Sequence, residues 1–133
     1  MKRNYIKKDE GIKIIKIIIN YKVESFEYLF NDCDYIESIY FKKFYRNNIN
    51  NMSFMFYGCS SLKELNLNKF NTNNVRYMNS MFSGCSSLKE LNLNSFNTNK
   101  VTFMDDMFRG CSNELVMKIK THYKNIKEEA FKK

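Results

Sequence analysis

The stretch that decides the fold is MSFMFYGCSSLKELNLNKFNTNNVRY, residues 52–77, because MNSMFSGCSSLKELNLNSFNTNKVTF, residues 78–103, follows it at once. The two copies agree at 19 of 26 positions without a gap. Self-similarity at a fixed period of this length marks stacked repeats, each a unit that cannot bury its apolar face alone. Within a copy the apolar period changes halfway. Met78, Met81 and Phe82 follow i, i+3, i+4 spacing, which predicts a short helix. Gly84 is placed to end that helix in a left-handed conformation, as are its equivalents Gly58, Gly110 and Asp32. Leu88, Leu91 and Leu93 then read L-x-x-L-x-L, and the alternation of leucines with Glu90, Asn92 and Asn94 predicts a strand. Phe96 and the turn-forming Asn97-Thr98-Asn99 close the unit.

Working outward, a degenerate copy precedes the clear ones. Phe26, Leu29, Phe30, Cys33, Ile36, Ile39, Phe41, Phe44 and Ile49 each stand 26 residues before an apolar position of the first clear copy. On the other side Met104, Met107, Phe108, Gly110 and Cys111 begin a fourth copy, which breaks where Glu114 replaces a leucine. From there Leu115, Ile119 and Tyr123 form an i, i+4 stripe that predicts an amphipathic capping helix. Asn125 with Glu128 is a candidate capping box for a last short turn holding Phe131. At the N-terminal end the β-branched run IKIIKIII, residues 12–19, predicts a strand in a cap over the open core. The organisation expected is one domain: a basic segment and β cap over 1–25, a degenerate repeat over 26–51, clear repeats over 52–77 and 78–103, and a partial repeat with a helical cap over 104–133. The fold class is an α/β repeat solenoid, with a parallel sheet of one strand per coil and short helices opposite.

The formal net charge of +8 is unevenly placed. Residues 1–22 hold seven Lys or Arg against Asp9 and Glu10. This reads as a solvated basic end rather than a phosphate-binding face, so nucleic-acid binding is the weaker alternative. Lys13 and Lys16 interrupt the apolar run and no small-residue cleavage site follows it, so no secretory signal is read. No uncharged stretch approaches the roughly 18 residues of a membrane span. The location favoured is cytoplasmic, with the cell surface as the alternative.

The motif Met-x-x-Met-Phe-x-Gly-Cys-Ser-Ser-Leu-Lys-Glu-Leu-Asn-Leu-Asn-x-Phe-Asn-Thr-Asn-x-Val, at residues 52–75 and 78–101 and in part at 104–112, resembles the BspA-like leucine-rich repeat proteins, a surface-protein repeat family. The resemblance implies a right-handed leucine-rich-repeat solenoid that binds proteins or surfaces, often as an adhesin. It brings no catalytic residues with it.

Chemistry is sparse otherwise. Cys33, Cys59, Cys85 and Cys111 are spaced by 26 residues throughout. One cysteine per coil, in a column, offers neither the converging ligands of a zinc site nor good disulfide geometry. Reduced, packed thiols are expected. The pairs Met55-Phe56, Met81-Phe82 and Met107-Phe108 read as core. His122 is the only histidine and has no nucleophile placed beside it by any motif. Asp105 and Asp106 are expected to favour the dipole of the last short helix. No phosphate-binding or dinucleotide-binding glycine pattern is present. No enzyme activity, metal or cofactor is expected. What remains is the outward face of the strand column, in three rows: Ser38, Glu64 and Glu90; Tyr40, Asn66 and Asn92; Lys42, Asn68 and Asn94. This is the candidate binding face for a protein partner, on a chain expected to be monomeric.

Overall fold

In the first half of each repeat, every second backbone N–H points out of its own winding and into the next. The computed structural model describes residues 23–41 and 47–132. Phe26, Tyr28, Phe30 and Asp32 donate to the carbonyls of Asn51, Ser53, Met55 and Tyr57 at 2.8, 3.2, 2.8 and 2.7 Å. Met52, Phe54, Phe56 and Gly58 repeat the pattern onto Tyr77, Asn79, Met81 and Ser83, each at 2.9 Å. Met78, Ser80, Phe82 and Gly84 repeat it again onto Phe103, Asp105, Met107 and Arg109 at 2.7–3.0 Å. The N–H groups in between close turns within the winding, as from Leu29 to Phe26, Asn31 to Tyr28 and Cys33 to Phe30.

This division corrects the expected short helices. A helix directs all its N–H groups along its own axis. Here half of them are spent sideways, and these segments are turns. The backbone also needs positive φ every fourth residue: Tyr28, Phe54, Ser80 and Asp106 at 51–60°, then Asp32, Gly58, Gly84 and Gly110 at 55–79°. The i, i+3, i+4 spacing marked the buried positions correctly, since Met78, Met81 and Phe82 are all fully buried, but turns bring them inward without a helix. At Gly84 a Cβ would sit 3.3 Å from both Cα and N of Gly58, so glycine serves the close approach of windings as well as the φ of 79°.

The strand expectation is corrected too. Among the described residues there are two strands, β1 (Ser38–Tyr40) and β2 (Glu64–Asn66). They pair in parallel, with Ser38 opposite Glu64, Ile39 opposite Leu65 and Tyr40 opposite Asn66. Single parallel bridges link Ser25 to Asn51, Asn51 to Tyr77 and Tyr77 to Phe103. The third copy forms no strand, although residues 84–94 repeat residues 58–68 letter for letter. There the second and third copies are joined by hydroxyls, Ser86 Oγ to the Ser60 carbonyl at 3.4 Å and Ser95 Oγ to the Leu67 carbonyl at 3.1 Å. The expected leucine-rich-repeat solenoid, with a strand in every coil and helices opposite, therefore does not hold: the described residues form a small open two-stranded sheet, one α-helix and hydrogen-bonded turns. The N-terminal strand expected over residues 12–19 lies outside the described residues.

The core runs through the stack as columns. Phe30, Phe56, Phe82, Phe108 and Phe131 stack ring on ring, with successive centroids 5.5, 5.7, 5.5 and 5.4 Å apart. Met52, Met55, Leu62, Met78, Met81 and Leu88 are fully buried around it. Each such side chain contributes about 1.5–3 kcal/mol against the entropy of ordering its winding. In the degenerate copy Phe26, Phe30, Ile39 and Ile49 are buried, while Leu29, Cys33, Ile36 and Phe41 pack against the core half-buried.

After Cys111 the chain forms α1 (Asn113–His122). Ser112 caps it, its hydroxyl accepting from the Leu115 N–H at 3.2 Å. Glu114 in the first turn and Lys120 and His122 in the last complement the helix dipole. Leu115 and Ile119 are buried, and Tyr123 follows at the C-cap. A 3-10 turn, Glu128–Phe131, then closes the stack, its Glu129 and Ala130 carbonyls accepting from Asp106 and Phe108 at 3.1 and 2.9 Å. The capping box expected from Asn125 and Glu128 does not form, since Lys127 is the N-cap and makes no side-chain cap bond. Asn125 bonds Thr98 instead, through both its carbonyl and its amide. No helix among the described residues is long and apolar enough to cross a membrane.

Candidate functional site

The sheet side carries the face expected to bind. Ser38, Tyr40, Glu64, Asn66, Asn68, Glu90, Asn92 and Asn94 are all exposed; Lys42 lies outside the described residues. The register of β1 on β2 sets Ser38 beside Glu64 and Tyr40 beside Asn66, as the alternation required. Tyr40 is 67% exposed, and its hydroxyl donates to the Glu64 carboxylate. That bond, chiefly, raises the Tyr40 pKa above the ordinary tyrosine value, because it would set a phenolate against a carboxylate. Tyr40, Phe41, Asn66, Asn68 and Lys69 line a shallow hollow of about 260 Å³.

The asparagine rows have structural work of their own. Asn66 Oδ1 accepts from the Asn68 N–H, and Asn92 Oδ1 from the Asn94 N–H, both at 2.9 Å. These are Asx turns, which fix the backbone just beyond the leucines. Among the described residues, neither asparagine's amide NH₂ has a hydrogen-bond partner. At the last position of the first row the helix intrudes: Lys118 Nζ reaches Glu90 at 3.3 Å and Glu114 at 2.8 Å. Their hydrogen bond first, and the opposite charge of the partner second, hold the Glu114 carboxyl below its ordinary range and the Lys118 ammonium above its own, Glu90 adding to the latter.

The cysteine column has its own hydrogen bonds. Cys59, Cys85 and Cys111 donate their thiols to the carbonyls of Phe30, Phe56 and Phe82 at 3.1, 3.2 and 3.1 Å. Among the described residues no disulfide forms. Burial first, with neighbouring thiols adding, pushes Cys59 up to about 12 and raises Cys85 further. Burial likewise pushes Cys111 up to about 12. These thiols pack against the core and also satisfy carbonyls. Among the described residues no group of three or more His, Cys, Asp and Glu side chains could hold a metal ion. His122 is exposed, with Nδ1 2.8 Å from the Lys118 carbonyl. Asp105 and Asp106 do not begin a helix. Asp105 accepts from Asn79 at 3.5 Å, and Asp106, at φ 55°, lies 3.8 Å from Arg109.

A second and larger hollow, of about 580 Å³, lies on the turn side, where the sequence reading placed no site. It is bounded by Phe54 and Tyr57 from one winding, Ser80 and Ser83 from the next, and Asp106 and Arg109 from the third. Gly84 and Gly110 complete its lining. A signal for it was present in the sequence. Of the seven positions at which the clear repeats differ, Phe54 against Ser80 and Tyr57 against Ser83 fall here, and none falls among residues 58–68.

Comparison with known proteins gives a family but no precedent for a site. No curated protein and no solved structure matches the chain. A family model described as "Mycoplasma protein of unknown function, DUF285" matches residues 24–130, which is the whole stack from the degenerate repeat to the closing 3-10 turn. The chain belongs to that DUF285 family.

Proposed function

We propose that this protein is a non-enzymatic interaction module that binds a protein partner, as a monomer, through the sheet side of the stack. The observation that carries the reading is Tyr40: a tyrosine 67% exposed in the first winding of a polar face, lining a hollow with Asn66, Asn68 and Lys69. A tyrosine presents a large rigid surface with a polar tip, and such residues anchor protein interfaces. The amides of Asn66 and Asn92 and the carboxylates of Glu64 and Glu90 supply a polar rim. The likeness of the repeat motif to BspA-like proteins supports binding rather than catalysis, and it carries the second reading, a surface adhesin.

The test is a quantitative pull-down from the source cell with wild-type protein and with Tyr40→Ala/Glu64→Ala. Both positions are exposed, so the variant keeps its fold, which a melting curve checks. Loss of the captured partner in the variant is the expected result. An unchanged set of captured proteins rejects the sheet side as the interface. Fractionation of the tagged protein separates the soluble module from the adhesin. Retention on nucleic acid that falls steeply with salt is the result that would favour the basic N-terminal segment instead.

A further inference from the structure

We propose that the turn-side hollow is a binding site for a neutral saccharide, one or two rings of an oligosaccharide. It is separate from the sheet-side face, and it follows from how three windings differ at two positions. The inter-winding ladder stacks Phe54 above Ser80 above Asp106, because Phe54 N–H bonds the Asn79 carbonyl and Ser80 N–H the Asp105 carbonyl, both at 2.9 Å. The same ladder, one turn on, orders Tyr57, Ser83 and Arg109. Large side chains in the outer two windings and serines in the middle one leave a trough about 580 Å³ in volume, within the range of ligand sites.

The two walls have different chemistry. One is aromatic: Phe54 stacks on Tyr28 at 4.8 Å and 12°, and Tyr57 leans against Phe54 at 5.7 Å and 60°. Tyr28 and Tyr57 are 45% and 39% exposed, so this cluster faces solvent. The other wall is the Asp106–Arg109 pair, 3.8 Å apart. Between them lie Ser80 and Ser83. The electron-rich face of an aromatic ring takes polarised C–H groups, which is what one face of a pyranose offers. The hydroxyl edge of the same sugar needs donors and acceptors together. Arg109 donates, Asp106 accepts and a serine hydroxyl does either.

Charge selects among ligand classes. The trough holds one cation and one anion in contact, so its net charge is zero. A phosphate or sulfate ligand calls for an excess of base, and a lysine or arginine side chain for an excess of acid. A neutral ligand with an apolar face and hydroxyls on its rim is the class that uses both walls. The trough is also preorganised, because the residues at its base are held by the ladder and by Ser83 N–H on the Ser80 carbonyl at 3.1 Å.

Saturation-transfer NMR on the full chain with millimolar lactose, maltose, cellobiose and N,N′-diacetylchitobiose tests the proposal. Transfer to the ring protons of at least one of these is expected. Tyr57→Ala and Arg109→Ala, both exposed substitutions, should each weaken that binding about tenfold, equivalent to roughly 1.4 kcal/mol. Tyr40→Ala, on the sheet side, should leave it unchanged. No transfer from any of the four overturns the proposal, as does binding that persists undiminished in both groove variants. Binding confined to a sulfated heparin disaccharide, run in parallel, overturns the neutral class.

Discussion

The sheet side and the turn side of this molecule are built from the same repeat, yet they obey it differently. On the sheet side residues 58–68 and 84–94 are identical, but one copy holds β2 and the other holds no strand. On the turn side the side chains differ between copies, but the four-bond backbone ladder is the same from each of the first three windings to the next. Identical letters give different local structure where the neighbours differ. β2 has β1 beside it, whereas the third copy has α1: Tyr123 takes the Leu93 N–H at 3.1 Å, and Lys118 takes the Lys89 carbonyl at 3.3 Å. Different letters give the same structure where the backbone does the holding.

The comparison is broken most severely in the shared core. Phe82→Ala opens a gap in the middle of the phenylalanine column and should cost about 3–5 kcal/mol in denaturant unfolding. A cost below about 1 kcal/mol would show that the column does not bind the windings together. Next comes the ladder itself. Gly84→Ala adds a Cβ at φ 79° against the Gly58 backbone at 3.3 Å, and should destabilise by more than about 1 kcal/mol. Gly110→Ala, with its nearest contacts at 3.4 and 3.5 Å and an exposed position, should cost less. Equal losses would mean that φ alone, and not close stacking, sets the need for glycine.

On the sheet side Tyr123→Phe should cost about 1 kcal/mol, because it strands the Leu93 N–H. Hydrogen exchange at Leu93 should quicken; an unchanged rate would show that the hydroxyl does not hold the third copy. The cysteine column gives a pH dependence. Below the ordinary thiol value of 9.0 the thiols are neutral folded and unfolded, so their contribution is complete. As pH rises from there the unfolded chain ionises first, and stability falls until the folded thiols of Cys59 and Cys111 titrate at about 12. Cys59→Ala/Cys111→Ala should show a shallower alkaline fall in Tm than wild type. The smallest effect belongs to the exposed binding face, where Tyr40→Phe should leave Tm unchanged while altering partner capture.

Much of the core was legible without coordinates. The 26-residue register marked Met52, Met55, Phe56, Met78, Met81, Phe82, Met104, Met107 and Phe108, and all are buried. The helix after Cys111 was legible from its i, i+4 stripe. The short helices were misread because three apolar residues at helical spacing fit a string of turns equally well, and periodicity reports which side is buried, not which carbonyl an N–H finds. The sheet-side positions were legible from alternation. The turn-side hollow was legible only as two differences between the clear repeats, at Phe54/Ser80 and Tyr57/Ser83, because its shape depends on which winding lies over which.

By itself the sequence determined the period, the inward positions, the glycine and aspartate points of left-handed backbone, and a thiol in every winding. These are local or periodic properties, set by side-chain volume, hydrophobicity and φ preference. The tertiary structure alone decided that alternate N–H groups cross to the next winding, so that turns replace helices. It decided that only one of two identical segments is a strand, since a strand is a relation between neighbours. It also set Phe54 and Tyr57 across two serines from Asp106 and Arg109, because a trough exists only where differing repeats are stacked.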